Sequence, residues 1–218
     1  MSEFEQARNN MVECQIRTNK VTDGRVLDAF LDIPRERFTP KAQRGVAYVD
    51  EDISIGNGRY MVEPMVLARL TQALSLRATD LVLDVGCNRG YSSAILAKLA
   101  NTVVAQEQDS ELAAAATGVL AELSIDNAVV VEAPLTEGYP SQGPYQAILI
   151  NGSVAEIPDC FADQLTDGGR LATVIASDGG MGSAVLMTKI DGRLSRRTLF
   201  DAATPLTPGF ESAPSFVF

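Results

Sequence analysis

The sequence predicts an α/β fold built on a Rossmann-like, mostly parallel sheet, and three observations carry that prediction. Short apolar runs of the buried-strand type alternate with helical patterns between Leu81 and Ile175. A glycine-bearing turn, "GCNRG" at 86–90, leads directly from the first of those runs into a helix. Near the end, Asp191-Gly192 separates two strand-like runs, so the sheet closes on a C-terminal antiparallel hairpin.

Taken in order, residues 3–17 and 22–33 read as two N-terminal helices. In the second, Val26, Leu27, Phe30, Leu31 and Ile33 recur at helical spacing, and Pro34 stops the run. An irregular stretch follows, with "AYVDEDISI" (47–55) extended. Pro64 suits the first turn of the next helix, whose buried stripe is Val66, Leu67, Leu70, Ala73 and Leu74. Strands are predicted at 81–85, 102–107, 128–132, 145–150 and 170–175, with a helix around 155–165. The hairpin takes 184–190 and 193–202. The last stretch, "PLTPGFESAPSFVF", has three prolines and three phenylalanines and reads as an extended strap. One domain is expected, with an N-terminal helical and substrate-loop segment (1–64), a Rossmann-like core (65–202) and a C-terminal strap (203–218).

Composition narrows the function. The 218 residues are 46% hydrophobic and 21% charged, which suits a globular domain. A net charge of −10 gives no overall attraction to bulk nucleic acid or anionic membranes, although Arg193, Arg196 and Arg197 cluster locally. There is no histidine, which excludes Ser–His triads and histidine metal sites. Cys14, Cys87 and Cys160 are too widely spaced for a zinc site or a disulfide framework, so no metal is expected. The acidic N-terminus is not a signal peptide, and no apolar run reaches the roughly 18 residues of a membrane span. These features point to a cytoplasmic protein.

The candidate site is the corner beyond the first strands. Asp84 ends the strand, Gly86 and Gly90 frame the turn, and Glu107 closes the next strand about 20 residues after Gly86, where a ribose-binding acid belongs. A carboxylate there would make two charge-assisted hydrogen bonds to ribose hydroxyls. Free amides at the helix start would attract polar groups. A dinucleotide fingerprint needs Gly at 88 and 91, but the chain has Asn88 and Tyr91. The pattern G-x-G-x-G fits at Gly86 and Gly90, with Asn88 tolerating a left-handed backbone. The spacing therefore favours S-adenosylmethionine over a nicotinamide cofactor. Glycine turns also end strands for structural reasons alone, and the loop by itself does not separate these readings.

With these residues in hand, the chain resembles the protein-L-isoaspartate O-methyltransferase family over nearly its whole length. The resemblance is carried by "MVECQI" (11–16), "VLDAFLDIPRERFTP" (26–40), "AYVDEDISIGNG" (47–58) and "VLDVGCNRGYSSAILAKLA" (82–100). It extends to "GYPSQGPYQAILI" and "QLTDGGRLATVI". It implies a class I methyltransferase sheet, S-adenosylmethionine as cofactor, and a protein or peptide carboxylate such as isoaspartate as acceptor. Asp84, Gly86, Asn88, Gly90, Glu107, Ala133 and Pro134 then fall on the cofactor side, and Arg59, Tyr60 and Val62 in the substrate loop.

The pocket positions depart from the family pattern. Val62 stands where the family has a substrate-binding serine. Ala133-Pro134-Leu135 replaces Gly-Asp-Gly, removing the acid expected at adenine. Gln146 replaces an aspartate, and Asn151-Gly152-Ser153 replaces a small Thr-Ala-Ala segment. A working carboxylate methyltransferase is the first reading, because an ionised nucleophile needs alignment more than acid–base help. An inactive member serving as a cofactor sensor or protein-binding module is the alternative, with the Phe-rich tail as a route to a partner or a second copy. A nucleotide-binding oxidoreductase is a distant third. Arg59 and Arg89 meeting one anion, or lying as separate surface arginines, stays open.

Overall fold

The computed structural model describes residues 2–177 and 180–211. Two helices come first, α1 (Glu3–Met11) and α2 (Gly24–Asp32). Ser2 caps α1 and Glu5 reaches back to Ser2, a capping box that satisfies two otherwise orphaned amides. The predicted helix 3–17 is α-helical only to Met11. It widens into a π turn over Val12–Ile16, tightens into a 3₁₀ turn, and ends at left-handed Lys20. Met11 and Ile16 are both fully buried, and their five-residue spacing matches the i→i+5 repeat of a π turn.

The stretch read as extended over 47–55 is turn and bend from Ala47 to Glu51, after a 3₁₀ helix over Lys41–Val46. Its one strand, β1 (Ile53–Gly56), folds back on β2 (Arg59–Met61). The connecting residues are Asn57 (φ +51°) and Gly58 (φ +70°), the two positive φ values of a tight hairpin turn. The Asn57-Gly58 pair is the local sequence signal for this turn, whereas a three-residue strand is too short to show periodicity. Helix α3 (Pro64–Leu74) then opens on proline as expected.

The main sheet contains β3 (Leu81–Val85), β4 (Thr102–Glu107), β5 (Ala128–Glu132), β6 (Tyr145–Val154), β7 (Leu165–Ser177), β8 (Gly180–Ile190) and β9 (Arg193–Ala202). Its order is β5-β4-β3-β6-β7-β8-β9, parallel from β5 through β7 and antiparallel for β8 and β9. Helices α4 (Tyr91–Ala97) and α5 (Ser110–Glu122) follow β3 and β4. The predicted helix 155–165 shrinks to α6 (Cys160–Asp163), because Pro158 disfavours helix before it and removes a donor.

Alternate residues of the central strands feed two cores, as a sheet covered on both faces requires. Val82, Val103, Ala147 and Leu149 pack with α1 to α4 on one side. Leu83, Val104, Ile148 and Ile150 pack with Phe161 and Tyr145 on the other. Arg193, Arg196 and Arg197 lie exposed on the outer strand β9.

The C-terminal strap runs back along the end of β6. Thr207 N donates to Ser153 O at 2.9 Å, Ser153 N to Pro205 O at 3.3 Å, and Ala155 N to Phe210 O at 3.0 Å. β6 reaches Val154, beyond the predicted end at Ile150, through its pairing of Ser153 and Val154 with Val174 and Ile175 of β7, and the strap bonds flank that end. The rest of the predicted strap, including Phe216 and Phe218, lies outside the described residues.

Candidate functional site

The sheet reverses its direction of growth between β3 and β6, and the corner beyond their carboxyl ends is where such folds place ligands. Gly86 (φ +75°), Asn88 (φ +56°) and Gly90 (φ +92°) carry the turn from β3 into α4 in left-handed conformations. Asn88 thus supports the backbone role expected of it. Four amides of the loop are spent internally. Gly86 N and Cys87 N donate to Gln106 O at 2.9 and 3.0 Å, and Gly90 N to Cys87 O at 2.8 Å. Asn88 N donates to Glu107 Oε2 at 2.9 Å.

Glu107 ends β4 with its side chain fully buried in this corner. Its carboxylate is already taken. Arg59 Nη1 donates to Oε1 at 2.5 Å and Arg59 Nη2 to Oε2 at 2.9 Å, a bidentate pair. Gln108 N and Asp109 N add bonds to Oε1 at 2.9 and 3.2 Å. Five donors thus crowd the roughly four lone-pair positions a carboxylate offers.

The resemblance places Arg59 in the substrate loop, and the structure shows where its side chain goes. Its side chain turns inward, 4% exposed, and lies against the glycine loop. A Cβ added at Gly86 would stand 3.0 Å from Arg59 Nη2, so the close approach that Gly86 permits is used by the chain's own arginine. The hairpin carrying Arg59 is tied down twice more. Asn57 Nδ2 donates to Asp109 Oδ2 at 3.0 Å, and Asn88 Nδ2 to the Tyr60 carbonyl at 3.0 Å. Arg89 lies outside the Arg59–Glu107 pair. It is half-buried beside Arg44, and burial together with that neighbouring charge lowers its pKa.

The remaining candidates fall into place around this pair. Asp84 is fully buried and accepts from Ser92 Oγ and Ser93 Oγ, both at 2.6 Å, and burial pushes its pKa up to about 6. It ties β3 to α4 rather than facing open space. Ala133 N donates to Glu107 O at 3.0 Å, and the Pro134 carbonyl accepts from Gln106 Nε2 at 2.7 Å, so both shape the corner through their backbone. Val62 is buried in the apolar core, with its carbonyl accepting from Arg35 Nη2. Tyr60 is half-buried beside Thr204–Pro208 of the strap. The Cys87 thiol is buried and its pKa raised by that burial, which leaves it no nucleophile.

Asn151, one of the pocket positions that depart from the family pattern, and Asp109, which the sequence did not single out, complete the site. Asn151 Nδ2 donates to Ser92 Oγ at 2.8 Å, occupying the end of β6. Asp109 holds the hairpin tip as well as capping α5. Asp109 reads in the sequence only as a helix N-cap, and its bond to Asn57 spans 52 residues. Together these side chains leave cavities of about 10 Å³ on either flank of the corner, one beside Met61 and Asn88, the other beside Arg59 and Pro208.

Comparison with known proteins agrees with this architecture. The family description "Protein-L-isoaspartate(D-aspartate) O-methyltransferase (PCMT)" matches residues 6–203. The chain is 38% identical over 185 residues to protein-L-isoaspartate O-methyltransferase 2 of Anaeromyxobacter sp. (strain Fw109-5), covering 85% of this chain and 76% of the relative. It is 40% identical over 168 residues to the protein-L-isoaspartate O-methyltransferase of Methanoculleus marisnigri, covering 77% and 76%. A solved protein-L-isoaspartate O-methyltransferase superposes with a TM-score of 0.79 at 24% identity, over 93% of this chain and 66% of that one. Another, from Plasmodium falciparum in complex with S-adenosyl-L-homocysteine, gives a TM-score of 0.77 at 20% identity over 94% and 98%. With its family description matched over most of its length and its sheet and hairpin shared, the chain belongs to the protein-L-isoaspartate O-methyltransferase family.

Proposed function

We propose that the protein is an S-adenosylmethionine-dependent O-methyltransferase acting on a carboxylate of a protein or peptide, with isoaspartyl residues as the first acceptor to test. The observation that carries this reading is the family match over residues 6–203, which spans the glycine loop and Glu107. The relatives are named as enzymes, and none of these comparisons favours the inactive module. The absence of histidine is compatible, because a carboxylate acceptor needs no proton removed before it attacks.

Site roles follow from position. Gly86, Asn88, Gly90 and Glu107 are the residues we assign to the cofactor side, with Asp84, Ala133 and Pro134 supporting them. Tyr60, and Val62 through the loop it anchors, border the acceptor side, with Arg59 between the two. We read the chain as one domain, supported by an apolar cluster that runs from Met11 to Ala202. A cytoplasmic setting is supported by three unpaired cysteines. Among the described residues, no helix is long and apolar enough to cross a membrane.

The corner as arranged here does not fit S-adenosylmethionine. Both Glu107 oxygens are engaged by Arg59, and the flanking cavities of about 10 Å³ hold a single water at most. Small-molecule sites run to roughly 300–1,000 Å³. Any ligand must first displace side chains of the protein itself.

The test is incubation of the purified protein with methyl-labelled S-adenosylmethionine and an isoaspartyl peptide, with the aspartyl isomer as control. Label in the isoaspartyl peptide alone supports the reading. No transfer to either peptide or to a denatured, aged protein mixture, under conditions where the cofactor is bound, overturns it.

A further inference from the structure

We propose that Arg59 is an intramolecular lock on the cofactor corner, a side chain that occupies the ligand's place on Glu107 and sets the affinity for any cofactor. This inference rests on the assignment of that corner to S-adenosylmethionine made above. It concerns the chain's own residues and stands on four observations.

The first is chemical. A carboxylate at the end of the second strand would grip a ribose through two hydrogen bonds, and Arg59 already supplies two N–H donors to those same oxygens. The second is steric, since Arg59 Nη2 lies against Gly86 where the loop would admit a ligand. The third is burial. The pair is 4% and 0% exposed, so salt screens it little and water does not compete for it. The fourth is mechanical. The hairpin is latched by Asn57 to Asp109 and by Asn88 to the Tyr60 carbonyl, and both latches must loosen if Arg59 is to swing out.

The consequence is a population effect. A site open only a fraction of the time shows its intrinsic affinity reduced by that fraction. Weakening the lock should raise affinity without adding any contact to the ligand. That separates a lock from a residue that binds the cofactor, whose removal would lower affinity.

The test is calorimetric titration of S-adenosyl-L-homocysteine into the wild type, Arg59→Gln and Asn57→Gly. Arg59→Gln removes the charge and shortens the side chain. Asn57→Gly keeps the left-handed turn and deletes only the latch to Asp109, at an exposed position that leaves folding intact. The expected order is weakest binding by the wild type, a several-fold gain for Asn57→Gly, and a gain of about tenfold or more for Arg59→Gln. Thermal unfolding confirms that each variant is folded. If Arg59→Gln does not fold, the Asn57→Gly comparison decides.

Equal affinity in all three proteins would overturn the lock and leave the cofactor assignment intact. Weaker binding by folded Arg59→Gln would also overturn it, making Arg59 a ligand contact. No binding by any of them at millimolar ligand would overturn the lock together with the cofactor assignment. The two failures are therefore distinguishable.

Discussion

Ser92 Oγ donates to Asp84 Oδ2 at 2.6 Å, and this bond joins the end of β3 to the first turn of α4. Ser93 donates to the same oxygen, and Ser92 in turn accepts from Asn151 at the end of β6. One buried carboxylate thus fixes the relative position of three elements around the glycine loop. Ser92→Ala would leave Asp84 one donor short and Asn151 Nδ2 with only its longer 3.4 Å bond to the Gly86 carbonyl. The expected cost is about 1–3 kcal/mol in urea unfolding, with the larger figure if Asn151 finds no substitute. A cost below about 0.5 kcal/mol would show that this network does not hold the corner.

One buried carboxylate, Asp84, and one half-buried carboxylate, Glu63, set a pH dependence whose sign is fixed by the direction of their shifts. Burial raises Asp84 from 3.8 to about 6, with Glu107 adding to the rise. Burial, then Asp52 and Asp50, raise Glu63 from 4.5 to about 7. A carboxyl group whose folded pKa is raised binds its proton more tightly in the folded state. Its stabilising contribution is complete below the unfolded pKa and is lost as pH climbs through the folded value. Stability should therefore fall between pH 4 and pH 7.5, with Asp84 responsible for on the order of 3 kcal/mol. Urea unfolding at pH 5, 6.5 and 8 reads this directly. Asp84→Asn should flatten the profile, and a wild-type profile already flat over that range would contradict the assignment.

Arg35 is a fully buried arginine that holds the loop before α3. Its Nε donates to Ala47 O at 2.7 Å and its Nη2 to Val62 O at 2.9 Å, while the guanidinium carbon sits 4.8 Å from the Tyr91 ring centre. Arg35→Met would strand two buried carbonyls, at an expected cost of about 3 kcal/mol or more. Arg35→Lys keeps a charge but not the fork, and should recover only part of that loss. Thermal melts of the two variants check the order. Equal stability of wild type and Arg35→Met would remove Arg35 from the account of this loop.

Gly152 and Thr207 are a contact pair between β6 and the strap. Gly152 has φ +137°, and a Cβ built there would stand 2.2 Å from Thr207 Oγ1. Gly152→Ala should cost about 2 kcal/mol and loosen the strap. Adding Thr207→Ala relieves the clash but not the backbone strain, so the double variant should regain part of the loss. Limited proteolysis followed by mass spectrometry would locate the first cut in the strap of Gly152→Ala. An unchanged cleavage pattern would mean the strap is not held at this point.

The sequence by itself determined the order of strands and helices from Leu81 to Ala202, because buried strands and amphipathic helices leave local periodicity in the chain. It also determined the left-handed turn at Gly86, Asn88 and Gly90, since few residues tolerate that backbone. It located Glu107 by its distance along the chain from the loop. Only the tertiary structure decided what meets Glu107. Arg59 lies 48 residues away on a hairpin too short to have a period, and a bidentate ion pair between such distant positions has no local signature. The same holds for Asn151 on Ser92 and Thr207 on Gly152. Local pattern reports which face of an element is buried, whereas the partner of a buried polar group is chosen by chain geometry over tens of residues.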